Sequence, residues 1–123
     1  MPILKIDFEQ IAWQAHPTLA GIMTRFTAVD VMGNPAIDSL IARVDVGGSI
    51  PWHIHEITCE LAYVIAGQGL YHERTPEGDQ AHSLQMGFAL FIAPAIWHAI
   101  ENTGSEPMLI FAVHTTAQAI VKG

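Results

Sequence analysis

Short apolar runs separated by turn-forming residues make up most of the chain. The turn signals include Gly47-Gly48, Thr75–Asp79 and Asn102–Gly104, where glycine and proline suit the backbone angles of tight turns. Many short strands at regular turn spacing are typical of an all-β sandwich or barrel. The predicted strands are Ile3–Phe8, Ile22–Asp30, Ser39–Val46, His53–Glu56, Glu60–Ile65, Gly69–Glu73, His82–Gln85, Ala89–Ile92, His98–Glu101 and Met108–His114.

Helical periodicity is weak throughout the chain. Only two segments, Phe8–Ala15 and Thr116–Lys122, fit a short helix or turn about as well as a strand, and neither carries recognisable chemistry. The pattern therefore predicts an all-β fold.

The composition is that of one apolar domain. The 123 residues show no shift in composition along the chain, which favours a single domain over residues 1–123. Half of the residues are hydrophobic and 14% are charged. Because monomers rarely expose large apolar patches, we expect part of this surface to be buried in a homodimer. In this interpretation residues 39–114 form the barrel core, and residues 1–38 form N-terminal strands that two subunits could exchange.

Charge and cysteine content exclude several classes of partner. The net charge is −7, and the five Lys and Arg residues form no basic run. This argues against phosphate-mediated binding of nucleic acid and against a polybasic membrane anchor. The longest apolar run, Phe88–Trp97, is too short to span a bilayer. One cysteine, Cys59, and an N-terminus without the apolar block of a signal peptide predict a cytoplasmic protein.

One short stretch carries the candidate chemistry. His53 and His55 are two residues apart on a predicted strand, so their side chains lie on the same face. Glu60 follows on the next predicted strand, and His98 is a fourth candidate from a distant strand. Imidazoles with one carboxylate are a donor set that suits iron, manganese, nickel or zinc and suits calcium poorly. A His-x-His pair alone is more often core or surface than a metal site, so the interpretation depends on the joint pattern.

The spacing of this stretch resembles the first motif of the cupin family at every position. Gly47, five residues, His53-Ile-His55, four residues, Glu60, six residues and Gly67 make up that motif. The resemblance implies a cupin double-stranded β-helix, a jelly-roll barrel of six to eight strands. It also implies one divalent transition metal inside, near one mouth, held by His53, His55, Glu60 and His98.

The second cupin motif is only partly matched. Gly87, five residues and Ala93, followed by His98 and Asn102, keep its spacing. The family usually has proline where Ala93 stands and glycine where Ala95 stands, whereas here Pro94 lies between two alanines. Either a positive φ angle is not required at Ala95, or the fold tolerates strain there. Asn102 is expected to be a structural hydrogen-bonder.

Other chemically capable residues have ordinary explanations. Cys59 precedes Glu60 and is expected to point away from the metal. His114 could be a pocket acid or base, but a satisfied histidine at the end of a strand is the simpler interpretation. Arg43 could hold a substrate carboxylate if it faced the cavity. Three histidines, namely His16, His72 and His82, are expected in loops or solvent, and Trp52, Trp97 and Phe91 either wall the pocket or belong to core or interface.

These observations leave two kinds of function open. A metal with free coordination positions could act on a small organic molecule. Dioxygenases, isomerases and decarboxylases of the cupin family, which this sequence resembles, work in this way. Alternatively, the chain is a non-catalytic small-molecule binder or sensor with a structural metal. Fold does not choose between them. The catalytic residues and the substrate are not specified by the sequence.

Overall fold

Alternating buried and exposed side chains along successive strands produce two antiparallel sheets. The computed structural model describes residues 5–28, 37–115 and 120–122. Within them a 3-10 helix, Phe8–Gln10, precedes the strands. The strands are β1 (Gln14–Ala15), β2 (Met23–Ala28), β3 (Ile37–Val44), β4 (Ser49–His55), β5 (Glu60–Ala66), β6 (Gln68–Thr75), β7 (Gly78–Gln85), β8 (Ala89–Ile92), β9 (His98–Asn102), β10 (Met108–Thr115) and β11 (Ile120–Lys122).

The strand order is that of a jelly roll. One sheet has six strands in the order β1-β2-β3-β10-β5-β8, and the other has five in the order β11-β4-β9-β6-β7. Consecutive strands repeatedly cross from one sheet to the other, so residues far apart in sequence become neighbours. The predicted all-β cupin barrel is confirmed, and its eight strands β3–β10 are extended by three further strands.

The two inner faces pack against each other around a main apolar cluster, beside a smaller one of Leu40, Ala42 and Ala112. Every second residue of β10 is buried, including Met108 and Ile110, and the intervening residues face outward. These side chains meet Val44 of the same sheet, and Ile50 and Ile100 of the opposite sheet, in a single cluster. Period-two alternation of this kind is what a sheet with one packed face requires.

The predicted strands are largely confirmed in the core, and the errors lie near the termini. The predicted strand Ile3–Phe8 is wrong from Lys5 onward, because Asp7 accepts a hydrogen bond from the backbone N–H of Glu9 and starts a 3-10 helix instead. Strand β1 was not predicted. The tail, for which helix or turn was considered, pairs as strand β11 with β4. Ile3, Leu4, Val29, Asp30 and residues 116–119 lie outside the described residues.

No helix in the described parts of the chain is long and apolar enough to cross a membrane.

Candidate metal centre

Strand β4 places His53 and His55 in the interior because it contains a bulge. Its register with β9 shifts between Ile50, opposite Ile100, and His53, opposite His98. Ile50 and His53 are three residues apart and would lie on opposite faces of a regular strand. The extra residue of the bulge returns both to the same cavity. Pro51 lies inside this irregular segment, where the missing N–H costs no ladder hydrogen bond.

His98 enters the site from the start of β9, after a turn with an unusual backbone. Ala95 has a φ of 64°, the only positive value among the described non-glycine residues. Its N–H donates a 2.7 Å hydrogen bond to the carbonyl oxygen of His55. The left-handed conformation is therefore kept although glycine is absent, so strain is tolerated at Ala95. His98 then lies directly opposite His53, with 4.2 Å between the ring centroids.

Glu60 supplies the carboxylate from the other sheet. It begins β5, where Glu60, Ala62 and Val64 face inward and the residues between them face solvent. The Oε1 atom of Glu60 lies 3.2 Å from Nε2 of His55 and 3.8 Å from Nε2 of His98. His55 and His98, on two strands of the five-stranded sheet, therefore approach one oxygen of a carboxylate that comes from the six-stranded sheet.

Backbone carbonyls orient two of the imidazoles. The Nδ1–H of His53 donates to the carbonyl oxygen of Pro51, and the Nδ1–H of His98 donates to that of Ile96, each over 2.8 Å. In the neutral rings this leaves the Nε2 lone pairs free, which is how metal-binding histidines are usually held. Nε2 of His98 is buried and has no hydrogen-bond partner among the described residues, and an ion would satisfy it.

The donor atoms are close enough for one ion. The candidate ligand atoms of His53, His55, Glu60 and His98 all lie within 4.8 Å of one another, and no other such group occurs among the described residues. The four predicted residues are thus brought together. Three imidazoles and a carboxylate suit a divalent transition metal.

The electrostatics favour two neutral histidines, His53 and His98, beside an ionised Glu60. Burial, and then repulsion from His98, lower the pKa of His53 to about 4, and burial also lowers the pKa of His98. Burial alone would raise the pKa of Glu60, but hydrogen bonds from His114 and His55 outweigh it and hold that pKa well below its usual range. At neutral pH His53 and His98 are therefore neutral and Glu60 is ionised, which are the protonation states that metal binding requires of these three residues.

Two buried polar residues, His114 and Asp38, lie behind the Glu60 carboxylate. His114 is buried on β10, with Nε2 3.2 Å from Oε1 of Glu60 and Nδ1 2.7 Å from Oδ1 of Asp38. Burial opposes protonation, but these two hydrogen bonds raise the pKa of His114 to about 9. Its place among the inward residues of Met108–His114 was visible in the alternation. Nothing in the sequence marks Asp38 as part of the site, because its contact with His114 depends on the pairing of β3 with β10.

The cavity beside the group is small and mostly apolar. Its volume is about 40 Å³, and a cavity needs roughly 10–15 Å³ to hold one water. His16, expected to be a loop residue, also lines the cavity. Its Nδ1 accepts hydrogen bonds from the N–H groups of Thr18 and Leu19. The other lining residues are Leu19, Ile22, Leu40, Ala42, Ile50, His53, His55, Glu60, His98, Ile100, Ile110, Ala112 and His114.

Most of the remaining candidates lie outside this cavity. Arg43 projects from the opposite face of β3, where its guanidinium lies 5.0 Å from the centre of the Trp13 ring, so it does not face the metal group. Trp52 and Trp97 contact Arg74, and the side chain of Phe91 is 73% exposed. None of these three aromatic side chains walls the cavity.

Cys59, His72, His82 and Asn102 also lie outside it. His72 pairs with Glu101 at 3.2 Å, and His82 is exposed. The side chain of Asn102 donates to the carbonyl oxygens of Val44 and Glu106 and accepts from the N–H of Gly104. The structural role expected for Asn102 is thus confirmed.

The comparisons with known proteins agree with the fold and the motif. The family model described as "Cupin domain" matches residues 40–114. The chain belongs to the cupin family. This cupin is 35% identical over 94 residues to germin-like protein 5-1 of Oryza sativa subsp. japonica, a match covering 71% of the chain and 41% of the relative. It is 29% identical over 93 residues to an oxalate-binding protein of Thermotoga maritima, covering 74% of the chain and 72% of that protein.

Solved structures show the same fold at lower identity. A predicted oxalate decarboxylase from Thermotoga maritima has a TM-score of 0.79 and 18% identity, with 93% of this cupin and 100% of that chain covered. The oxalate decarboxylase of Bacillus subtilis, whose Mn(II) centres have been characterised, has a TM-score of 0.75 and 21% identity. The match covers 89% of this cupin and 30% of the longer decarboxylase chain. The cupin spans less than half of the germin-like relative and less than a third of this decarboxylase.

Proposed function

We propose that this cupin binds one divalent transition metal through His53, His55, Glu60 and His98, and uses it to bind a small oxo-acid. The observation that carries the proposal is the buried Nε2 of His98, which has no hydrogen-bond partner in the described part of the chain and lies beside the nitrogens and the carboxylate oxygen of the other three residues. Leaving such a polar atom unsatisfied costs roughly 1–3 kcal/mol, and an ion removes that cost.

Manganese is the first candidate among iron, manganese, nickel and zinc. The donor set of three imidazoles and one carboxylate is compatible with all four metals. The Mn(II) centres of the structurally similar oxalate decarboxylase of Bacillus subtilis favour manganese. When bound, such an ion would act as a Lewis acid toward the oxygens of a ligand.

A small oxo-acid such as oxalate fits the cavity better than a large or phosphorylated ligand. Among the described residues, the cavity has no lysine or arginine lining it, so the ion itself would have to balance most of the charge of an anion. The small volume admits only a few heavy atoms beside the ion. Relatives described as an oxalate-binding protein and as oxalate decarboxylases point to the same class of ligand.

Metal titration tests the proposal directly. The metal-free protein should take up close to one equivalent of Mn(II), measured by the loss of the free-ion electron paramagnetic resonance signal and by elemental analysis. The His53→Ala/His98→Ala double variant should take up none. A His72→Ala/His82→Ala variant removes two histidines outside the site and should bind like the wild type. No uptake of manganese, iron, nickel or zinc by the wild type would refute the metal site.

A binding role without turnover is a second candidate, and one observation favours it. The match to the oxalate-binding protein spans 72% of that relative, whereas the decarboxylase of Bacillus subtilis is more than three times longer than the matched part. Calorimetry with oxalate, and assays of carbon dioxide and formate, separate the two on the Mn(II)-loaded protein. Binding without products supports a binder, products support a decarboxylase, and no binding refutes oxalate as the ligand.

A further inference from the structure

Three buried polar side chains form a row across the inner face of the six-stranded sheet. Asp38 of β3 is the register partner of His114 of β10, and His114 is the register partner of Glu60 of β5. Their side chains are 5%, 3% and 11% exposed, respectively. Direct cross-strand neighbours on one face have closely spaced Cβ atoms, so the sheet itself places these three groups in contact.

The two nitrogens of His114 face two carboxylates. Nδ1 lies 2.7 Å from Oδ1 of Asp38, and Nε2 lies 3.2 Å from Oε1 of Glu60. Carboxylate oxygens only accept hydrogen bonds when ionised, so each nitrogen of His114 acts as a donor here. With both nitrogens donating, His114 has no lone pair to offer to an ion. In agreement, it does not belong to the group of mutually close ligand atoms.

The oxygen that His114 holds is the one that the candidate ligands approach. Oε1 of Glu60 also lies 3.2 Å from Nε2 of His55 and 3.8 Å from Nε2 of His98. Rotation of the Glu60 side chain would break the contact with His114 and leave the buried Nε2–H of His114 without an acceptor, which is costly. His114 thus restrains the carboxylate about its terminal torsion, which is otherwise broad.

We propose that His114, itself oriented by Asp38, is a positioning residue that fixes the Glu60 carboxylate with one oxygen toward the three histidines. This proposal rests on the metal site proposed above. A carboxylate held in this way would present one oxygen, Oε1, to an ion bound by the three histidines. Hydrogen-bond partners of metal ligands typically affect metal affinity by tenfold to a hundredfold.

The test compares His114→Leu with His114→Gln. Leucine removes both hydrogen bonds, and glutamine keeps an N–H donor that can reach Glu60. We expect His114→Leu to weaken Mn(II) binding by roughly tenfold to a hundredfold, and His114→Gln to recover most of that loss. In the Co(II)-substituted proteins, the visible d–d absorption should change intensity in His114→Leu and resemble the wild type in His114→Gln.

A matched control removes the same kind of pair elsewhere. His72→Leu breaks a histidine–carboxylate contact with Glu101, also at 3.2 Å, outside the cavity, and should leave Mn(II) affinity and the Co(II) spectrum unchanged. Circular dichroism of the metal-free variants establishes that they fold. If His114→Leu does not fold, Asp38→Asn takes its place. It keeps an acceptor for Nδ1–H without the charge and should weaken Mn(II) binding by up to roughly tenfold, the lower end of the range for direct partners of metal ligands.

Two results would overturn the inference while leaving the metal site intact. One is unchanged Mn(II) affinity and Co(II) absorption in the folded His114→Leu protein, or in Asp38→Asn where that variant replaces it. The other is a count of metal-bound nitrogens, by X-ray absorption, that falls by one when His114 is replaced, because His114 would then be a ligand itself. A wild-type protein that binds no metal would overturn the proposed function, and this inference with it.

Discussion

The N–H of Ala95 donates a 2.7 Å hydrogen bond to the carbonyl oxygen of His55, which ties the turn before His98 to the end of strand β4. Two candidate ligands on different strands are thereby held in register by a backbone contact. The contact requires Ala95 to adopt a left-handed conformation, with a φ of 64°. A side chain in this region costs roughly 1–2 kcal/mol.

Replacing Ala95 by glycine should therefore stabilise the protein. Glycine removes the conformational strain but increases the entropy of the unfolded chain, so we expect a net gain of about 0.5–1 kcal/mol in the free energy of unfolding in urea. Ala93→Gly, two residues earlier and without a positive φ, is the control and should be neutral or destabilising. A loss of stability in Ala95→Gly would contradict this account of the turn.

From a buried position, Asn102 joins the end of β3 to the loop between β9 and β10. Its amide bonds the carbonyl oxygens of Val44 and Glu106 and the N–H of Gly104, each over 2.9 Å. Asn102→Ala leaves these groups without their partner, and we expect a loss of about 2–4 kcal/mol in the free energy of unfolding. The neighbouring exposed Thr103→Ala should change it by less than about 0.5 kcal/mol. Equal effects of the two substitutions would argue against a structural role for Asn102.

The metal-free protein should be most stable near pH 6.5. The pKa of His53 is lowered to about 4, so its contribution is complete above the unfolded-state pKa of about 6.5 and is lost as the pH falls toward 4. The pKa of His114 is raised to about 9, so its contribution is complete below about 6.5 and is lost as the pH rises through 9. The lowered pKa of Glu60 adds a further loss below about pH 4.3.

Urea unfolding of the metal-free protein at a series of pH values measures this profile. The variant His114→Leu should lose the decline between pH 6.5 and 9, because that decline comes from the protonated imidazole. The part of the acid limb that comes from His53 should remain, because burial and His98 lower the pKa of His53 and neither changes in this variant. A wild-type profile that rises steadily from pH 6.5 to 9 would refute the assignment of a protonated His114 to the folded state.

Removal of a bound metal should lower the thermal stability. At a free metal concentration one hundred times the Kd, binding stabilises the folded state by about 2.7 kcal/mol. For a domain of this size that corresponds to a rise in Tm on the order of 10 °C. Calorimetric scans with Mn(II) and with a chelator measure the shift. The His53→Ala/His98→Ala variant is the control, and a Tm shift of the same size in that variant would place the bound metal elsewhere.

The homodimer expected from the apolar composition remains a prediction, and the structure suggests where to test it. Leu61, Tyr63 and Phe91 are exposed on the outer face of β5 and β8, and Leu61 is the register partner of Phe91. A cluster of large apolar side chains on a sheet face is typical of an interface. We expect light scattering to show a dimer at micromolar concentration and Phe91→Glu to shift it toward monomer.

The control for that experiment adds the same charge at another exposed apolar residue. Ile57 lies in the turn between β4 and β5 and is 70% exposed, similar to the 73% of Phe91. Ile57→Glu should leave the dimer unchanged. A wild-type monomer at micromolar concentration would refute the prediction.

The sequence by itself determined the fold class and the four candidate ligands. Short strands separated by turn residues are a local signal. His53, His55 and Glu60 also lie close together in the sequence, so their spacing can be recognised locally. Side-chain alternation on a strand then predicts that the two histidines share a face. His98 was placed by the resemblance to the second cupin motif. All four residues are brought together in the fold.

Only the tertiary structure decided what surrounds those ligands. Asp38 and His114 are 76 residues apart, and they meet because β3 and β10 pair directly. No local pattern encodes that register, so the sequence alone favours an ordinary strand-end histidine at His114. The orientation of Arg43 and the left-handed backbone of Ala95 were likewise undecided, because each depends on a strand pairing or a turn closed by distant contacts. Local periodicity specifies which face a residue occupies, whereas the pairing of distant strands specifies what that face meets.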